Sequence, residues 1–517
     1  MQLGRFRFAA ALLCALFLSP LATAQIHKDE VRGFQFKPPK DFNAVALKPG
    51  ERLIVAKYQD PSTSYGGEQG YAGYNSQFVV RYFSYDASDD EGDEEYDPME
   101  GGLSFLEAMY GYYEVDKDKK ITIARAKGRE MYITPANGSI KVWCAMLPQD
   151  DGLFLFEGTA IDKRFDKELR DFSKAAKTFK RIDKADTSAR DAELSQMDSQ
   201  ERFLQTQINK LPPGWDYIRT DRYLFLYNAD KNFVKGMSEQ IEKIRNVYED
   251  LYPPTEPIED VSIVRVCNSR DEYMAYGGSA GSGGYWSPYH KELVFFDQSP
   301  RTETLCVLNH EAFHQYIYYY YGELSPHSWY NEGHGDYFSG AKMTRTYRIT
   351  EYANAPGGFD RSQFIKDMAR LRQQGKKMSE GAAAPLKELL NYSQREYYSS
   401  GPGRPVGFYP QGWAVVHMLR QSKGLEPEWK RILPEYLANL VASRHEVAEE
   451  VMKKKLETAE KVKEGSSEDL SHDVEDYYGR VDTDKVQKRA YEKTFVDWSD
   501  ADWEAFDEFF LKYCEKL

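Results

Sequence analysis

Two short runs, set 17 residues apart, constrain this chain more than any other feature. His310-Glu311-Ala312-Phe313-His314 has the pattern HExxH, and Asn331-Glu332-Gly333-His334-Gly335-Asp336 has the pattern NExxxD. Histidines four apart project from one face of a helix. The 17 residues between His314 and Glu332 suffice to finish that helix, turn at Gly322 and Ser325-Pro326, and return along an antiparallel one. This spacing predicts that Glu332 meets His310 and His314 as a third ligand to one zinc ion per chain. Asp336, one helical turn beyond Glu332, is placed to accept the second N–H of a ligating histidine. Glu311 lies one residue round the helix from His310, within reach of a metal-held water, and is the candidate general base. Leu305, Val307, Leu308, Phe313, Tyr316 and Ile317 predict that the helix, over 302–321, is packed rather than solvated. His327 and His334 are competing third ligands, and Asp336 competes with Glu332. His334, two residues past Glu332, is turned well away around a helix and reads better as a packing or substrate contact. The longer HExxHxxGxxH pattern is absent, because Ile317 and Tyr320 occupy its later positions.

The rest of the chain predicts an α+β protein. Arg5 and Arg7, the apolar run Phe8–Leu18 and Ala22-Thr23-Ala24 have the form of a secretion signal over 1–24. Its removal would take two arginines and no acids, moving the formal charge from -14 to -16. Such a charge argues against a nucleic-acid surface. Export to a periplasmic or extracellular compartment is expected, and no later run is long and apolar enough to span a membrane. Cys144, Cys267, Cys306 and Cys514 are too sparse for a disulfide scaffold, though one or two bridges would be compatible with export.

Residues 30–187 read as an antiparallel sheet with a packed helix. The strands are expected at 52–56, 77–83, 120–124, 140–144 and 152–156, and the helix at 163–179, with Phe165, Leu169, Phe172 and Ala175 on one face. The acid-rich run 86–97 lacks the ligand spacing of a calcium loop and reads as a solvated segment. Residues 188–205 are a polar linker or solvated helix. Residues 206–350 carry strands at 223–227, 262–267 and 292–296 and a helix at 232–251, followed by the zinc-ligand helices. Residues 351–517 predict a mainly helical lobe, with helices at 360–374, 384–394, 412–421 and 426–443, a thinly apolar charged helix over 444–468 and an aromatic amphipathic helix at 501–510.

Two resemblances add to this reading. Gly33-Phe34-Gln35-Phe36-Lys37-Pro38-Pro39, Phe156-Glu157-Gly158-Thr159-Ala160 and Lys174-Ala175-Ala176-Lys177-Thr178-Phe179 resemble PsbP-like domains, implying an accessory module open to an envelope partner. HExxH followed by Trp329-Tyr330-Asn331-Glu332-Gly333-His334-Gly335-Asp336-Tyr337-Phe338 resembles the gluzincins, specifically the peptidase MA-like, thermolysin-like group. This second resemblance implies His310, His314 and Glu332 as ligands, Glu311 as base and Asp336 as the orienting carboxylate. It also implies an edge strand that pairs with an extended substrate, here 292–296, with Gly283, Gly284, Leu293, Val294 and Phe295 as substrate-binding residues. A tyrosine or histidine stabilises the oxyanion in that group. Phe408–His417 resembles the segment that supplies it, with Tyr409 first and His417 second. The combined expectation is a zinc endopeptidase acting on peptide or protein. A non-catalytic binding module and a zinc amidohydrolase of non-peptide substrates are the alternatives.

Overall fold

The computed structural model describes residues 26–51, 53–61, 75–85, 97–136, 138–254, 257–279, 281–320, 322, 324–343, 349–352, 361–399, 407–463 and 481–517. The expected leader and residues 86–96 of the acidic run lie outside the described residues. The chain divides into two units, one made of residues up to 47 with 51–196, the other of 48–50 with 197–517.

The first unit contains β1 (His27–Asp29), β2 (Phe34–Phe36), β3 (Asn43–Ala44), β4 (Ile54–Gln59), β5 (Gln77–Ser84), α1 (Pro98–Tyr110), β6 (Tyr113–Ile123), β7 (Ala126–Pro135), β8 (Lys141–Gln149), β9 (Gly152–Ala160), α2 (Asp162–Lys177), β10 (Lys180–Arg181) and α3 (Ser188–Gln196). Seven strands form one antiparallel sheet in the order β3-β4-β5-β9-β8-β7-β6. β9 is buried along its whole length because both its faces are covered. Phe154 and Phe156 point to the core beneath α2, whereas Leu153 and Leu155 point to the core that includes Leu106 of α1. Gly158 is required there, since a Cβ would sit 2.3 Å from the Phe172 ring of α2. α3 buries no side chain, in keeping with its polar sequence.

The second unit opens with α4 (Ser199–Asn209) and continues through β11 (Asp216–Arg219), β12 (Tyr223–Tyr227), α5 (Lys231–Leu251), β13 (Ser262–Cys267), α6 (Arg270–Tyr276), β14 (Gly284–Ser287) and β15 (Glu292–Phe296). The five strands form a mixed sheet in the order β11-β12-β13-β15-β14. β12, β13 and β15 are parallel, and β11 and β14 are antiparallel edges. The expectation that 292–296 is the edge is therefore corrected. β15 is an interior strand whose Leu293, Val294 and Phe295 are fully buried. The glycine-rich turn does not run straight into β15, because Tyr285-Trp286 forms a strand of its own that doubles back to cover it.

Next come α7 (Arg301–Tyr320), α8 (Ser328–Ser339), the hairpin β16 (Ala341–Met343) and β17 (Ile349–Tyr352), α9 (Arg361–Gln373), α10 (Leu386–Leu389), α11 (Gln394–Tyr398), α12 (Tyr409–Gln421), α13 (Ile432–Lys463), α14 (Thr483–Thr494) and α15 (Asp500–Cys514). One apolar core runs from Tyr223 in β12 to Cys514 in α15, continuous across the boundary expected near residue 350. α7 and α8 lie at its centre, which is why neither has a polar face of ordinary width. Cys144, Cys267, Cys306 and Cys514 are all free thiols. No helix among the described residues is long and apolar enough to cross a membrane.

Candidate metal centre

α7 and α8 bring His310, His314 and Glu332 together, with ligating atoms all within 4.8 Å of one another. The imidazoles of α7, four residues apart, lie with ring centroids 4.6 Å apart. Glu332 approaches from α8, its Oε2 lying 3.0 Å from His310 Nε2 and 3.5 Å from His314 Nε2. The glycines of α8 make this approach sterically feasible. A Cβ at Gly335 would come within 2.8–2.9 Å of three His310 ring atoms, and one at Gly333 would lie 2.5 Å from the Gly412 carbonyl oxygen of α12.

Each histidine is held from behind. Asp336 Oδ1 lies 3.2 Å from His310 Nδ1, and Arg361 Nε donates to Asp336 Oδ2 at 2.8 Å. Asn331 Oδ1 lies 2.9 Å from His314 Nδ1. An amide oxygen only accepts, so this contact places a proton on His314 Nδ1 and turns Nε2 toward Glu332. The Tyr398 hydroxyl of α11 donates to Glu332 Oε1. Asn331 and Tyr398 thus contact the cluster, and neither has a role in the sequence reading. Asn331 sits inside the recognised motif, whereas Tyr398 lies 66 residues from its partner in sequence, and no local pattern links them.

The electrostatics fit a cation. Burial alone would lower the His310 pKa, but hydrogen bonds to Asp336 and Glu332 carry it well above the ordinary histidine range. Burial likewise opposes the rise at His314, which the Glu332 charge more than offsets. Burial would raise Glu332, yet the His314 charge and the hydrogen bonds from both histidines hold it well below the usual carboxylate range. Positive charge is therefore strongly favoured between these three groups, and a divalent ion can replace the protons that otherwise supply it. Two imidazoles and one carboxylate, held by carboxylate and amide partners, suit zinc in donor type and in supporting contacts.

Glu311 lies beside the cluster. Burial raises its pKa, against the lowering charges of His310 and His314. Its Oε2 accepts the Trp286 amide N–H of β14 at 3.0 Å. Gly284 begins this edge strand and packs on Phe295, where a Cβ would lie 2.4 Å from the ring. Gly283 precedes it, 3.2 Å from Val307 by the same measure. Tyr409 at the start of α12 is near the cluster, with Arg361 over its ring at 5.4 Å and the Tyr398 ring 5.7 Å away. Its pKa is raised by burial and then by the charges of Glu332, Asp336 and Glu311. His417 is placed elsewhere on the same helix. Its Nδ1 pairs with the Tyr513 hydroxyl at 2.8 Å and its ring packs on Trp413, so it joins α12 to α15. His327 and His334, the competing third ligands, are also directed away from the cluster. His327 pairs with Tyr436, and His334 with Tyr252 and the Tyr330 carbonyl.

No family model matches the chain, and no curated protein matches it. Among solved structures, cyanobacterial PsbP (CyanoP) from Synechocystis is 14% identical over 32% of this chain and 96% of its own, with a TM-score of 0.24. LpqN, involved in cell envelope biogenesis of Mycobacterium tuberculosis, is 10% identical over 29% of this chain and 83% of its own, with a TM-score of 0.21. A Bacteroides thetaiotaomicron protein is 9% identical over 56% of this chain and 78% of its own, also at 0.21. The likeness to PsbP is thus weak and of low identity.

Proposed function

We propose that the second unit is a zinc-dependent hydrolase of peptide bonds, acting as an endopeptidase on extended substrates. The observation that carries this reading is the convergence of His310, His314 and Glu332 next to the Glu311 carboxylate, which itself touches an edge strand. The three converging groups would hold the zinc. When bound there, it would supply Lewis-acid polarisation of the scissile carbonyl and make a water more acidic. Glu311 takes the proton of the attacking water on a carboxylate oxygen and delivers it to the departing amine. Its raised pKa favours the first transfer, and the far more basic leaving amine draws the proton on in the second.

Asp336 and Asn331 fix the imidazole orientations, while Arg361 and Tyr398 fix Asp336 and Glu332. Tyr409 keeps its proton through burial and nearby carboxylates, and so remains a hydrogen-bond donor to the developing oxyanion. The substrate pairs with β14 rather than β15. β14 is the antiparallel edge of the sheet, beside Glu311 through the Trp286 N–H, and an extended peptide can add to that open edge as a strand. Export to a periplasmic or extracellular compartment is part of the proposal, and N-terminal sequencing of the secreted protein, expected to begin at Gln25, tests it.

The central test is metal analysis of protein purified without chelator, together with a peptide-library digest read by mass spectrometry. One zinc per chain and internal cuts, abolished by chelation and restored by zinc, are expected. A zinc content far below one per chain sinks the metal assignment. Full zinc without cleavage of any peptide sinks the peptidase.

A further inference from the structure

Glu332 and His334 are two residues apart on α8 and so turned about 200° from one another. The face that carries His334 borders a cavity of about 650 Å³ between the end of α5, the end of α12 and α13. Leu251, Leu419, Leu433, Leu437 and Val441 supply apolar walls, and none of the metal-cluster residues lines it. This volume lies within the range of small-molecule sites.

The cavity's charged groups are unbalanced. Its lining includes Arg420 and, at an exposed position, Lys430, but no aspartate or glutamate, in a chain whose net charge is -14. Arg420 is set firmly in place. Its Nε and Nη2 lie 3.3 and 3.2 Å from His334 Nε2, and its guanidinium lies 5.0 Å from the Tyr252 ring centroid and 5.7 Å from that of Tyr337. His334 Nδ1 faces the Tyr330 carbonyl at 2.7 Å, so the proton sits on Nδ1 and Nε2 accepts. A neutral imidazole orients the guanidinium without neutralising it. Among the described residues no carboxylate pairs with Arg420, and burial pulls its pKa down to about 10. A half-buried guanidinium without a carboxylate partner is unfavourable unless an anion comes to it.

We infer that this cavity binds an amphipathic carboxylate, with its apolar chain between α5, α12 and α13 and its carboxylate on the Arg420 guanidinium. Fixed by His334 and two tyrosine rings, Arg420 presents a planar fork suited to a carboxylate. The apolar walls exclude a fully hydrated anion as the preferred occupant. The site is independent of the proposed hydrolysis.

Isothermal titration of the full mature chain with octanoate, octan-1-ol and acetate tests this, in zinc-loaded and chelator-treated forms. Octanoate should bind at least tenfold more tightly than either comparator in both forms. Arg420→Met should remove the preference for octanoate over octanol. Leu437→Trp, which fills the cavity and leaves the cation intact, should weaken octanoate at least tenfold. Should Arg420→Met fail to fold, the wild-type series and Leu437→Trp decide. Equal binding of octanol, equal binding of acetate, or no octanoate binding overturns the inference. So does octanoate binding that disappears with the zinc, which would place the ligand on the metal cluster, or binding unaffected by Leu437→Trp.

Discussion

The amide N–H of Trp286 donates to the Glu311 carboxylate across 3.0 Å, joining the sheet's edge strand to the helix that carries both histidines. The contact makes Glu311→Gln an informative variant. A glutamine can still accept that N–H through its side-chain carbonyl oxygen, so strand and helix keep their contact. It cannot take a proton from water. Hydrolysis should fall by roughly 10²–10⁴-fold, the usual size of a general-base contribution. Zinc content and thermal midpoint should stay near wild type. Wild-type turnover by this variant would remove Glu311 from the mechanism.

Tyr398 and Tyr409 lie with rings 5.7 Å apart but are assigned different tasks. Tyr398 donates to Glu332, a proposed ligand, so Tyr398→Phe should act on the metal, weakening zinc binding by about 10–100-fold in competition with a chelating dye. Tyr409→Phe should leave zinc affinity intact and lower kcat, since its hydroxyl is proposed to bind charge that exists only in the transition state. If both variants lose zinc and neither shows a separate kcat effect, Tyr409 is a packing residue.

The convergence of His310, His314 and Glu332 was legible in sequence because its spacing is local. Four residues place His314 on the same helix face as His310, and a 17-residue return is short enough to limit the topology. The strands 223–227, 262–267 and 292–296 were also plain, as uninterrupted apolar runs between turns. Their order in the sheet was not. Which strand is the edge depends on whether Gly284–Ser287 pairs back on β15, and four residues containing Tyr285 and Trp286 carry too little pattern to say. α1 was missed because Pro98-Met99-Glu100-Gly101-Gly102 reads as loop. Its N-terminus is fixed by the Asp97 side chain accepting from the Met99 amide, and Leu106 secures it to the sheet. β7 was missed because Lys127, Arg129 and Glu130 break its apolar run. Of the helix expected at 384–394, Leu386–Leu389 forms α10 and Gln394 opens α11.

Gly335 is required by its neighbour rather than by its own backbone. Gly335→Ala would place a Cβ 2.8–2.9 Å from the His310 ring, and moving that ring also disturbs its contacts with Glu332 and Asp336. A destabilisation of about 1–3 kcal/mol is expected from the overpacking, with reduced zinc affinity. Gly236→Ala is the matched control in the exposed part of α5, where a Cβ meets nothing within 4 Å, and should stabilise by roughly 0.5–1 kcal/mol. Urea titration and zinc competition on both variants separate the steric cause from a general intolerance of alanine.

His327 makes the stability of the second unit depend on pH. Burial lowers its pKa to about 3, from an ordinary 6.5, and its Nδ1 pairs with the Tyr436 hydroxyl at 2.7 Å. The unfolded chain therefore takes up a proton as pH falls through 6.5, while the folded chain resists doing so until about pH 3. In that interval the unfolded state binds more protons, so stability rises with pH, and the neutral histidine's contribution is fully present only above 6.5. Between pH 8 and pH 5 this single group should remove about 2 kcal/mol. His327→Gln cannot titrate. The variant should be less stable than wild type at pH 8, where it gives up a fitted imidazole, yet lose about 2 kcal/mol less on going to pH 5. Urea unfolding of the zinc-free forms at both pH values, followed by tryptophan fluorescence, gives the difference directly. Equal losses in wild type and variant would show that His327 is protonated in the folded protein at pH 5, and that its burial does not exclude charge.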